Sequence, residues 1–187
     1  SLVGSEMCIR DSVNILHTIG GDDTNTMAAQ LSFFLEKNGY DLTVVGLPKT
    51  VDNDVFPVAQ TLGAWTAAEQ GSIFFENVVN ENTTSNRQLI IHEVMGRHCG
   101  WLTAQTAKDY RLKLRNKEFL PELLIDKARW DIDAIYIPEE DFNFQHEVIR
   151  LRDLMDRKDS VNIFLSEGAG QDAIVRELEE KGDVVPR

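Results

Sequence analysis

A Gly-Gly-Asp-Asp turn at residues 20–23 separates two kinds of hydrophobic pattern near the start of this chain. The apolar run at residues 13–19 predicts a buried strand, and apolar residues at helical spacing from Met27 onward predict a helix. Adjacent glycines let the backbone approach a ligand closely, and the free N–H groups at a helix start attract phosphate. The chain is therefore expected to build a strand–turn–helix unit with an anion site at the turn.

The two carboxylates of this turn, Asp22 and Asp23, suit an anion site only if a cation lies between them and the phosphate. Asp22 with Mg²⁺ is the natural interpretation of that requirement. A helix cap is the competing interpretation, because Asp and Thr are ordinary N-cap residues. The turn taken alone leaves both interpretations open.

Composition narrows the class of partner. The formal net charge of the 187 residues is -12, which argues against general binding to nucleic acid or to an anionic membrane. A local pocket for a small anion is still compatible with this charge. The two cysteines form no disulfide framework or metal-ligand spacing, so we expect a reducing, cytoplasmic setting. No apolar run approaches the length of a membrane span.

Strands and helices alternate along the chain, which predicts parallel sheets covered by helices in an α/β fold. The predicted strands are residues 13–19, 42–47, 89–91, 134–137 and 162–165, and the predicted helices begin near Met27 and cover residues 59–80, 101–108, 145–156 and 173–181. Residues 1–12 match no element of this fold, and we treat them as an unrelated extension. The basic stretch at residues 110–130 is interpreted as an insertion or as a contact surface for another subunit.

Polar residues follow three further predicted strands, at the end of a parallel sheet where ligands bind. Residues 48–54, Pro-Lys-Thr-Val-Asp-Asn-Asp, place one cation and two carboxylates in a segment without apolar periodicity. Arg97 lies between glycines at a strand-to-helix corner, where its planar fork is well placed for a phosphate. Glu167 follows the last strand. A solvated loop and a surface arginine paired with a nearby acid are the simpler alternatives.

Four stretches together resemble the phosphofructokinase family. They are Gly-Gly-Asp-Asp at 20–23, Pro-Lys-Thr-Val-Asp-Asn-Asp at 48–54, Met-Gly-Arg at 95–97 and Ser-Glu-Gly at 166–168. They occur in the family's order and at similar separations. The resemblance implies a three-layer α/β/α fold with mostly parallel sheets in two Rossmann-like lobes and the active site in the cleft between them. Residues 13–58 are then part of the first lobe, on the phosphoryl-donor and Mg²⁺ side, and residues 59–187 most of the second, on the sugar-phosphate side.

Two residues of these stretches resemble the pyrophosphate-dependent branch of the family. ATP-dependent members usually have glycine where Asp23 and Lys49 stand. By resemblance, the carboxylate of Asp23 occupies the place of the ATP α-phosphate and excludes ATP by charge and volume. The ammonium of Lys49 contacts the phosphoryl donor and offsets charge in the transition state, beside Gly21. The resemblance thus implies phosphoryl transfer from pyrophosphate to the 1-hydroxyl of fructose 6-phosphate.

The remaining site roles are also implied by the resemblance. Asp22 helps to hold Mg²⁺, and Asp52 is the base that accepts the proton of the sugar hydroxyl. The substrate contacts fall on two groups of residues, namely Thr50, Val51, Asp52 and Asp54 in the first lobe and Met95, Gly96, Arg97 and Glu167 in the second. The family is oligomeric, so a homodimer or homotetramer is expected. Some members place an arginine at the spacing where Gln88 stands here, and that role is not carried over.

The family pattern extends beyond this chain at both ends. Its first strand, its glycine-rich donor loop and its later phosphate-binding basic residues have no counterpart in the 187 residues, so we expect the isolated chain to be inactive. The alternative functions are an ATP-dependent phosphofructokinase and a non-catalytic regulatory subunit on the same fold. The retained aspartates Asp22, Asp52 and Asp54 disfavour the regulatory subunit. An NAD kinase does not explain the stretches at 48–54 and 95–97.

Overall fold

The structure is a computed structural model that describes residues 13–81, 84–123 and 125–182, so the predicted extension at residues 1–12 lies outside the described residues. The chain divides into two compact units, Ser1–Gly63 and Ala64–Arg187. The strands are β1 Ile15–Gly20, β2 Thr43–Thr50, β3 Leu62–Gly63, β4 Gln88–Val94, β5 Ala134–Tyr136 and β6 Ser160–Ser166. The helices are α1 Asp22–Lys37, α2 Ala64–Glu81, α3 Trp101–Arg115, α4 Phe144–Lys158 and α5 Gln171–Lys181.

The first unit is a parallel sheet in the order β1-β2-β3, and helix α1 packs on it. Ala28 and Leu35 are the buried residues of that helix, seven positions apart on one face, which is the spacing that an amphipathic helix uses to cover a sheet. The register pairs Gly20 with Pro48, so the end of β1 lies beside the start of the 48–54 segment. The topology therefore places both candidate segments at one edge of this sheet.

The second unit is a parallel sheet in the order β4-β6-β5 with helices on both faces. Strand β6 is central and almost wholly buried. Helix α4 covers one face, where Leu151, Leu154 and Met155 pack against Val161 and Ile163. Strand alternation turns Phe164 to the opposite face, under α2 and α3. The unit therefore has three layers, as the sequence predicts.

An aromatic cluster fixes the packing of α2 and α3 on that second face. The Phe75 ring is fully buried, with its centroid 4.5 Å from Phe164 and 4.7 Å from Tyr110. Burial of one such ring stabilises a fold by about 2–3 kcal/mol. His92 packs against Phe75 and Phe164 in tilted and edge-on arrangements, and burial lowers the pKa of its imidazole. His92 is thus a half-buried residue of strand β4 whose surroundings disfavour the charged imidazole.

The predicted class, parallel sheets with helices, is confirmed, while several element bounds differ from prediction, three of them near the candidate site. Helix α1 begins at Asp22 inside the turn rather than near Met27, and strand β2 runs to Thr50. Helix α2 begins at Ala64 rather than at residue 59, because Leu62 and Gly63 pair with β2 as strand β3. Hydrophobic periodicity detects the buried part of an element, whereas its ends are set by backbone hydrogen bonds that the pattern does not show.

The basic stretch at residues 110–130 begins inside helix α3, which continues to Arg115 and does not end at residue 108 as predicted. The Arg111 guanidinium pairs with Asp131 at 3.0 Å, and the Lys113 ammonium donates to the Ser72 hydroxyl at 2.7 Å. Both cations therefore have partners within the second unit. A role of the stretch in contacting another subunit stays a prediction.

Candidate active site

The turn between β1 and α1 is held by a side chain from inside the helix. The Asn25 amide donates to the carbonyl oxygens of Gly20, at 2.9 Å, and Gly21, at 2.7 Å. A glycine on the neighbouring strand makes room for it, because a Cβ at Gly46 would lie 2.6 Å from Asn25 Oδ1. Sequence reasoning assigned no role to Asn25 or Gly46, and no local pattern links residues 21 positions apart. Together they fix the path of the turn backbone.

The start of helix α1 presents charge to solvent. Asp22 and Asp23 form its first turn, and both are exposed. Within the described residues, no side chain caps this helix end and no partner is found for either carboxylate. The helix-cap interpretation of these residues is therefore not supported. The open N–H groups and the positive end of the helix dipole can receive an anion, and the carboxylates can receive a cation.

The 48–54 segment is partly strand and partly loop, which corrects the prediction that it lies wholly beyond a strand. Pro48, Lys49 and Thr50 belong to β2. Thr50 lies against the glycine turn, since a Cβ built on Gly21 would be 3.7 Å from the Thr50 Cβ. The N–H of Asp52 then donates to the Thr50 hydroxyl at 3.2 Å. The structure thus brings the turn and this segment together within the first unit.

A cross-brace that the sequence did not reveal closes the loop after Asp52. The Asn53 side chain accepts hydrogen bonds from the backbone N–H of Thr61, at 2.8 Å, and from its hydroxyl, at 3.1 Å. The Thr61 hydroxyl also donates to the Thr50 carbonyl at 2.8 Å. Asn53 has a φ of 55°, in the left-handed region that asparagine tolerates better than most residues. Thr61 is buried, so the brace is shielded from water.

The charged groups of the segment differ in their surroundings. Val51 and Asp52 are half-buried, whereas Lys49 and Asp54 are exposed. In the described part of the chain, neither the Lys49 ammonium nor the Asp54 carboxylate has an ion-pair partner. Neighbouring residues on a strand point to opposite faces, so Lys49 leaves β2 on the side opposite Thr50. Lys49 is therefore a cation available to an anionic ligand.

The second unit presents its candidate residues on a corner between β4 and α3, residues 95–100, which we call the Arg97 corner. The buried Ser166 hydroxyl donates to the Gly96 carbonyl oxygen at 2.7 Å. Gly168 packs against the next peptide so closely that a Cβ there would be 1.8 Å from the Arg97 carbonyl oxygen. The Ser-Glu-Gly stretch at 166–168 therefore supports the Arg97 corner through backbone contacts.

The two predicted charged residues of this unit are neighbours. The Arg97 guanidinium lies 3.3 Å from the Glu167 carboxylate, and their side chains are 64% and 37% exposed. Exposed ion pairs of this kind contribute only about 0–1 kcal/mol to stability. Met95 beside them is also exposed. The pair can therefore open at little cost to receive another charged group.

A cavity of about 280 Å³ borders Arg97 and His98 and is also lined by Glu139, Glu140, Asp141 and Asp172. Its excess of carboxylates makes it unsuitable for a phosphate. A larger groove of about 530 Å³ is lined mainly by apolar side chains of β4, β6 and α4, with Arg87, Tyr136, Glu147 and Arg152 also bordering it. Neither space is the candidate site, which lies on the exposed sheet ends described above.

Metal-binding potential is limited to small groups of carboxylates. No cluster of three or more His, Cys, Asp or Glu side chains suited to a metal occurs within residues 13–81, 84–123 and 125–182. Magnesium is often held by one or two carboxylates together with substrate phosphates and water, so Asp22 fits such a site. None of the helices in the described segments combines the length and apolar character needed to cross a bilayer.

The comparisons with known proteins define the class. The phosphofructokinase family profile matches residues 5–185. The chain belongs to the phosphofructokinase family. Crystal structures of pyrophosphate-dependent phosphofructokinases from Nitrosospira multiformis and Marinobacter aquaeolei share its fold. The first has a TM-score of 0.66 at 23% identity, covering 88% of this chain and 38% of that one. The second has a TM-score of 0.64 at 23% identity, covering 95% and 44%.

Curated relatives are more similar in sequence. The pyrophosphate–fructose 6-phosphate 1-phosphotransferase of Methylotuvimicrobium alcaliphilum is 57% identical over 185 residues, which are 99% of this chain and 45% of that protein. The protein of the same name from Mastigamoeba balamuthi is 56% identical over the same shares. An ATP-dependent 6-phosphofructokinase of Borreliella burgdorferi is 29% identical over 87% of this chain and 34% of that protein. The chain thus spans a little under half the length of its more similar relatives.

Proposed function

We propose that the whole protein transfers a phosphoryl group from pyrophosphate to the 1-hydroxyl of fructose 6-phosphate. The observation that carries the proposal is the availability of Asp23 and Lys49, which are exposed and have no partner among the described residues. These two residues separate the pyrophosphate-dependent branch from ATP-dependent members. The relatives at 56–57% identity carry the corresponding name, whereas the ATP-dependent relative is 29% identical.

The phosphoryl donor binds, in this proposal, at the glycine turn. The Gly21 backbone and the open start of α1 receive phosphate oxygens, and the Lys49 ammonium offsets their charge. The Asp23 carboxylate repels the additional phosphate of a nucleotide. Specificity for pyrophosphate then comes from an unfavourable contact with ATP as well as a favourable one with the smaller donor.

The proposed contacts to the sugar 6-phosphate lie at the Arg97 corner of the second unit. Arg97 exchanges its pairing with Glu167 for a bidentate contact to the 6-phosphate, which the planar guanidinium fork favours. Glu167 is then free to accept from a sugar hydroxyl, beside Met95 and Gly96. Thr50, Val51 and Asp54 of the first unit are also proposed as substrate contacts.

Asp52 acts as the base for the sugar 1-hydroxyl. The hydroxyl oxygen forms the new bond to the transferred phosphorus, and the bridging P–O bond of pyrophosphate breaks with its electrons leaving on phosphate. The hydroxyl proton passes to Asp52. A carboxylate has a reference pKa of only about 4, yet it can serve because the hydroxyl becomes acidic as the P–O bond forms. Most of the rate enhancement then comes from positioning and charge neutralisation.

A divalent cation, proposed to be Mg²⁺, is held by Asp22 together with pyrophosphate oxygens. Such a cation would neutralise charge on the transferred and leaving phosphates. We also propose that the protein is a cytoplasmic homo-oligomer of glycolysis and gluconeogenesis, a dimer or tetramer. Sedimentation of the whole protein tests the oligomeric state.

The test is an assay of fructose 1,6-bisphosphate formation by the whole protein with Mg²⁺ and either pyrophosphate or ATP. Activity with pyrophosphate alone supports the proposal. Activity with ATP alone keeps the sugar site but contradicts the assignment of Asp23 and Lys49. Activity with neither donor favours a regulatory subunit or another acceptor.

A double variant sharpens the assignment of the phosphoryl donor. Replacing Asp23 and Lys49 together by glycine removes the charge that repels ATP and the cation that assists pyrophosphate. The ratio of kcat/KM for ATP to that for pyrophosphate should rise. An unchanged ratio in a folded double variant would count against these two residues as the determinants of donor choice.

A further inference from the structure

Glu139 makes a contact at the Arg97 corner that the family motifs do not include. It follows strand β5, and both of its carboxylate oxygens accept from the backbone N–H of Gly100, at 2.8 and 3.0 Å. Gly100 is the N-cap residue of helix α3 and the last residue of the corner. A carboxylate in this position also interacts favourably with the positive end of the helix dipole.

The segment that carries Glu139 packs directly on the corner. A Cβ at Gly100 would lie 2.4 Å from the Ile137 Cβ and 2.7 Å from Glu139 Oε2, so only glycine permits this approach. Glu139 itself is exposed, so burial of apolar surface does not account for its position. Its identifiable bonding role in the described structure is the pair of contacts to Gly100.

The Arg97 corner is thus anchored at both ends by groups from other elements. Ser166 holds the Gly96 carbonyl, and Glu139 holds the Gly100 N–H. Arg97 lies between these two anchors and is itself exposed, with only the weak pair to Glu167. Its direction therefore depends on the backbone of the corner, because few side-chain contacts restrain it.

We propose that Glu139 is a positioning residue that fixes the Arg97 corner for binding of the sugar 6-phosphate. The inference rests on the proposed function. A hydrogen bond to a charged group is stronger than a neutral one, and a planar guanidinium needs accurate placement to bind a phosphate bidentately. Loss of Glu139 weakens a contact made equally in the ground state and the transition state, so it raises KM and leaves kcat unchanged.

The experiment compares Glu139→Ala and Glu139→Gln in the whole protein, with Glu140→Gln as the matched control. Glu140 borders the same cavity, is exposed and has no side-chain partner among the described residues. We expect Glu139→Ala to raise the KM for fructose 6-phosphate about tenfold, with kcat and the KM for pyrophosphate unchanged. Glu139→Gln keeps one acceptor oxygen and should recover part of this loss, whereas Glu140→Gln should match the wild type.

Three results would overturn the inference. A KM for fructose 6-phosphate within twofold of wild type in a folded Glu139→Ala protein shows that the corner does not need Glu139. If Glu139→Ala fails to fold, Glu139→Leu, which also lacks an acceptor oxygen, takes its place, and an unchanged KM leads to the same conclusion. A fall in kcat with an unchanged KM assigns Glu139 a general structural role. A wild-type protein without activity or fructose 6-phosphate binding refutes the proposed function itself, whereas an active wild type with unaffected variants refutes only the role of Glu139.

Discussion

The glycine turn at residues 20–23 and the Arg97 corner both join a strand to a helix and are both braced by a side chain, but their charged residues differ in pairing. In the first unit, Asn25 braces the glycine turn, and the charged groups of Asp22 and Asp23 have no partner within the described residues. In the second unit, Ser166 braces the Arg97 corner, and Arg97 is already paired with Glu167. The backbone is fixed in both corners, but within the described residues the functional charge is paired only in the second, by Arg97 and Glu167.

The difference indicates two ways to prepare a site for phosphate. The carboxylates of Asp22 and Asp23 at the turn of the first unit have the same sign. They can therefore take part in anion binding only together with a cation, and phosphoryl transfer uses such a cation and anion together. The pair in the second unit is neutral overall, and under the proposed function it exchanges one partner when a sugar phosphate binds. On this interpretation, changes to the carboxylates of the first unit act mainly on kcat, and changes to the Arg97 corner act mainly on the KM for fructose 6-phosphate.

The largest effect is expected at Asp52. Replacement by asparagine keeps the size of the side chain and removes its ability to accept a proton, so kcat should fall about a thousandfold. The KM values should change little, which steady-state assays with pyrophosphate and fructose 6-phosphate can check. Asp41→Asn, an exposed carboxylate of the same unit, is the control. A kcat within tenfold of the wild type would mean that a group other than Asp52 acts as the base.

The next effect is expected at Arg97. Arg97→Met removes the proposed bidentate contact to the 6-phosphate and should raise the KM for fructose 6-phosphate about a hundredfold, with kcat nearly unchanged. Stability should change by less than about 1 kcal/mol, because the pair with Glu167 is exposed. Arg115→Met on α3 is the matched control. A large loss of kcat at Arg97 would remove the contrast between the two corners.

The sequence predicted the order of strands and helices and the polar residues at their ends, because both depend on local pattern. It placed the end of β2 too early, since the apolar periodicity stops at Leu47 while the ladder continues to Thr50. Lys49 and Thr50 are polar, so the last part of β2, which leads to the candidate site, lacks the apolar pattern by which strands are predicted.

The braces of the site were not predictable in the same way. The Asn53–Thr61 brace depends on a left-handed φ at Asn53, which sequence alone does not specify. The contact between Glu139 and Gly100 joins positions 39 residues apart and exists only because β5 and α3 are brought together by the sheet. Such contacts follow from topology, and a single sequence gives no pattern that points to them.

A pair of glycine variants separates support of the backbone from approach of a ligand. Gly168→Ala places a Cβ 1.8 Å from the Arg97 carbonyl oxygen, and backbone must move, so the free energy of unfolding should fall by about 2 kcal/mol. In Gly21→Ala the nearest atom is the Thr50 Cβ at 3.7 Å, an ordinary contact, and stability should change by less than about 0.5 kcal/mol. Urea unfolding measures both.

The same pair should differ in ligand binding. Gly21→Ala should raise the KM for pyrophosphate, because the added methyl group hinders approach to the turn backbone. Gly168→Ala should raise the KM for fructose 6-phosphate, because it displaces the Arg97 corner. If Gly21→Ala destabilises the protein as much as Gly168→Ala, the backbone of the first corner is packed as tightly as that of the second and has no room left for a ligand.

The smallest expected effect is on stability and concerns the Arg150–Glu147 ion pair, which is less exposed than the pair at Arg97. The Arg150 guanidinium donates to Glu147 and, with the Tyr136 hydroxyl, lowers the pKa of that carboxyl to about 2. Because the folded-state pKa lies below the ordinary value of 4.5, the pair stabilises the fold above that pH and loses this contribution as pH falls toward 2.

Arg150→Met should therefore lower the free energy of unfolding by about 1 kcal/mol at pH 6, and the deficit should shrink as pH decreases from about 5 to about 3. Urea unfolding at several pH values checks this, with Arg152→Met on the same helix as control. A deficit independent of pH would mean that Arg150 acts through the packing of its side-chain stem and its bond to the Asp133 carbonyl. In that case the charges of the Arg150–Glu147 pair would not stabilise the second unit, and charge pairing in this unit would matter only for ligand binding at Arg97.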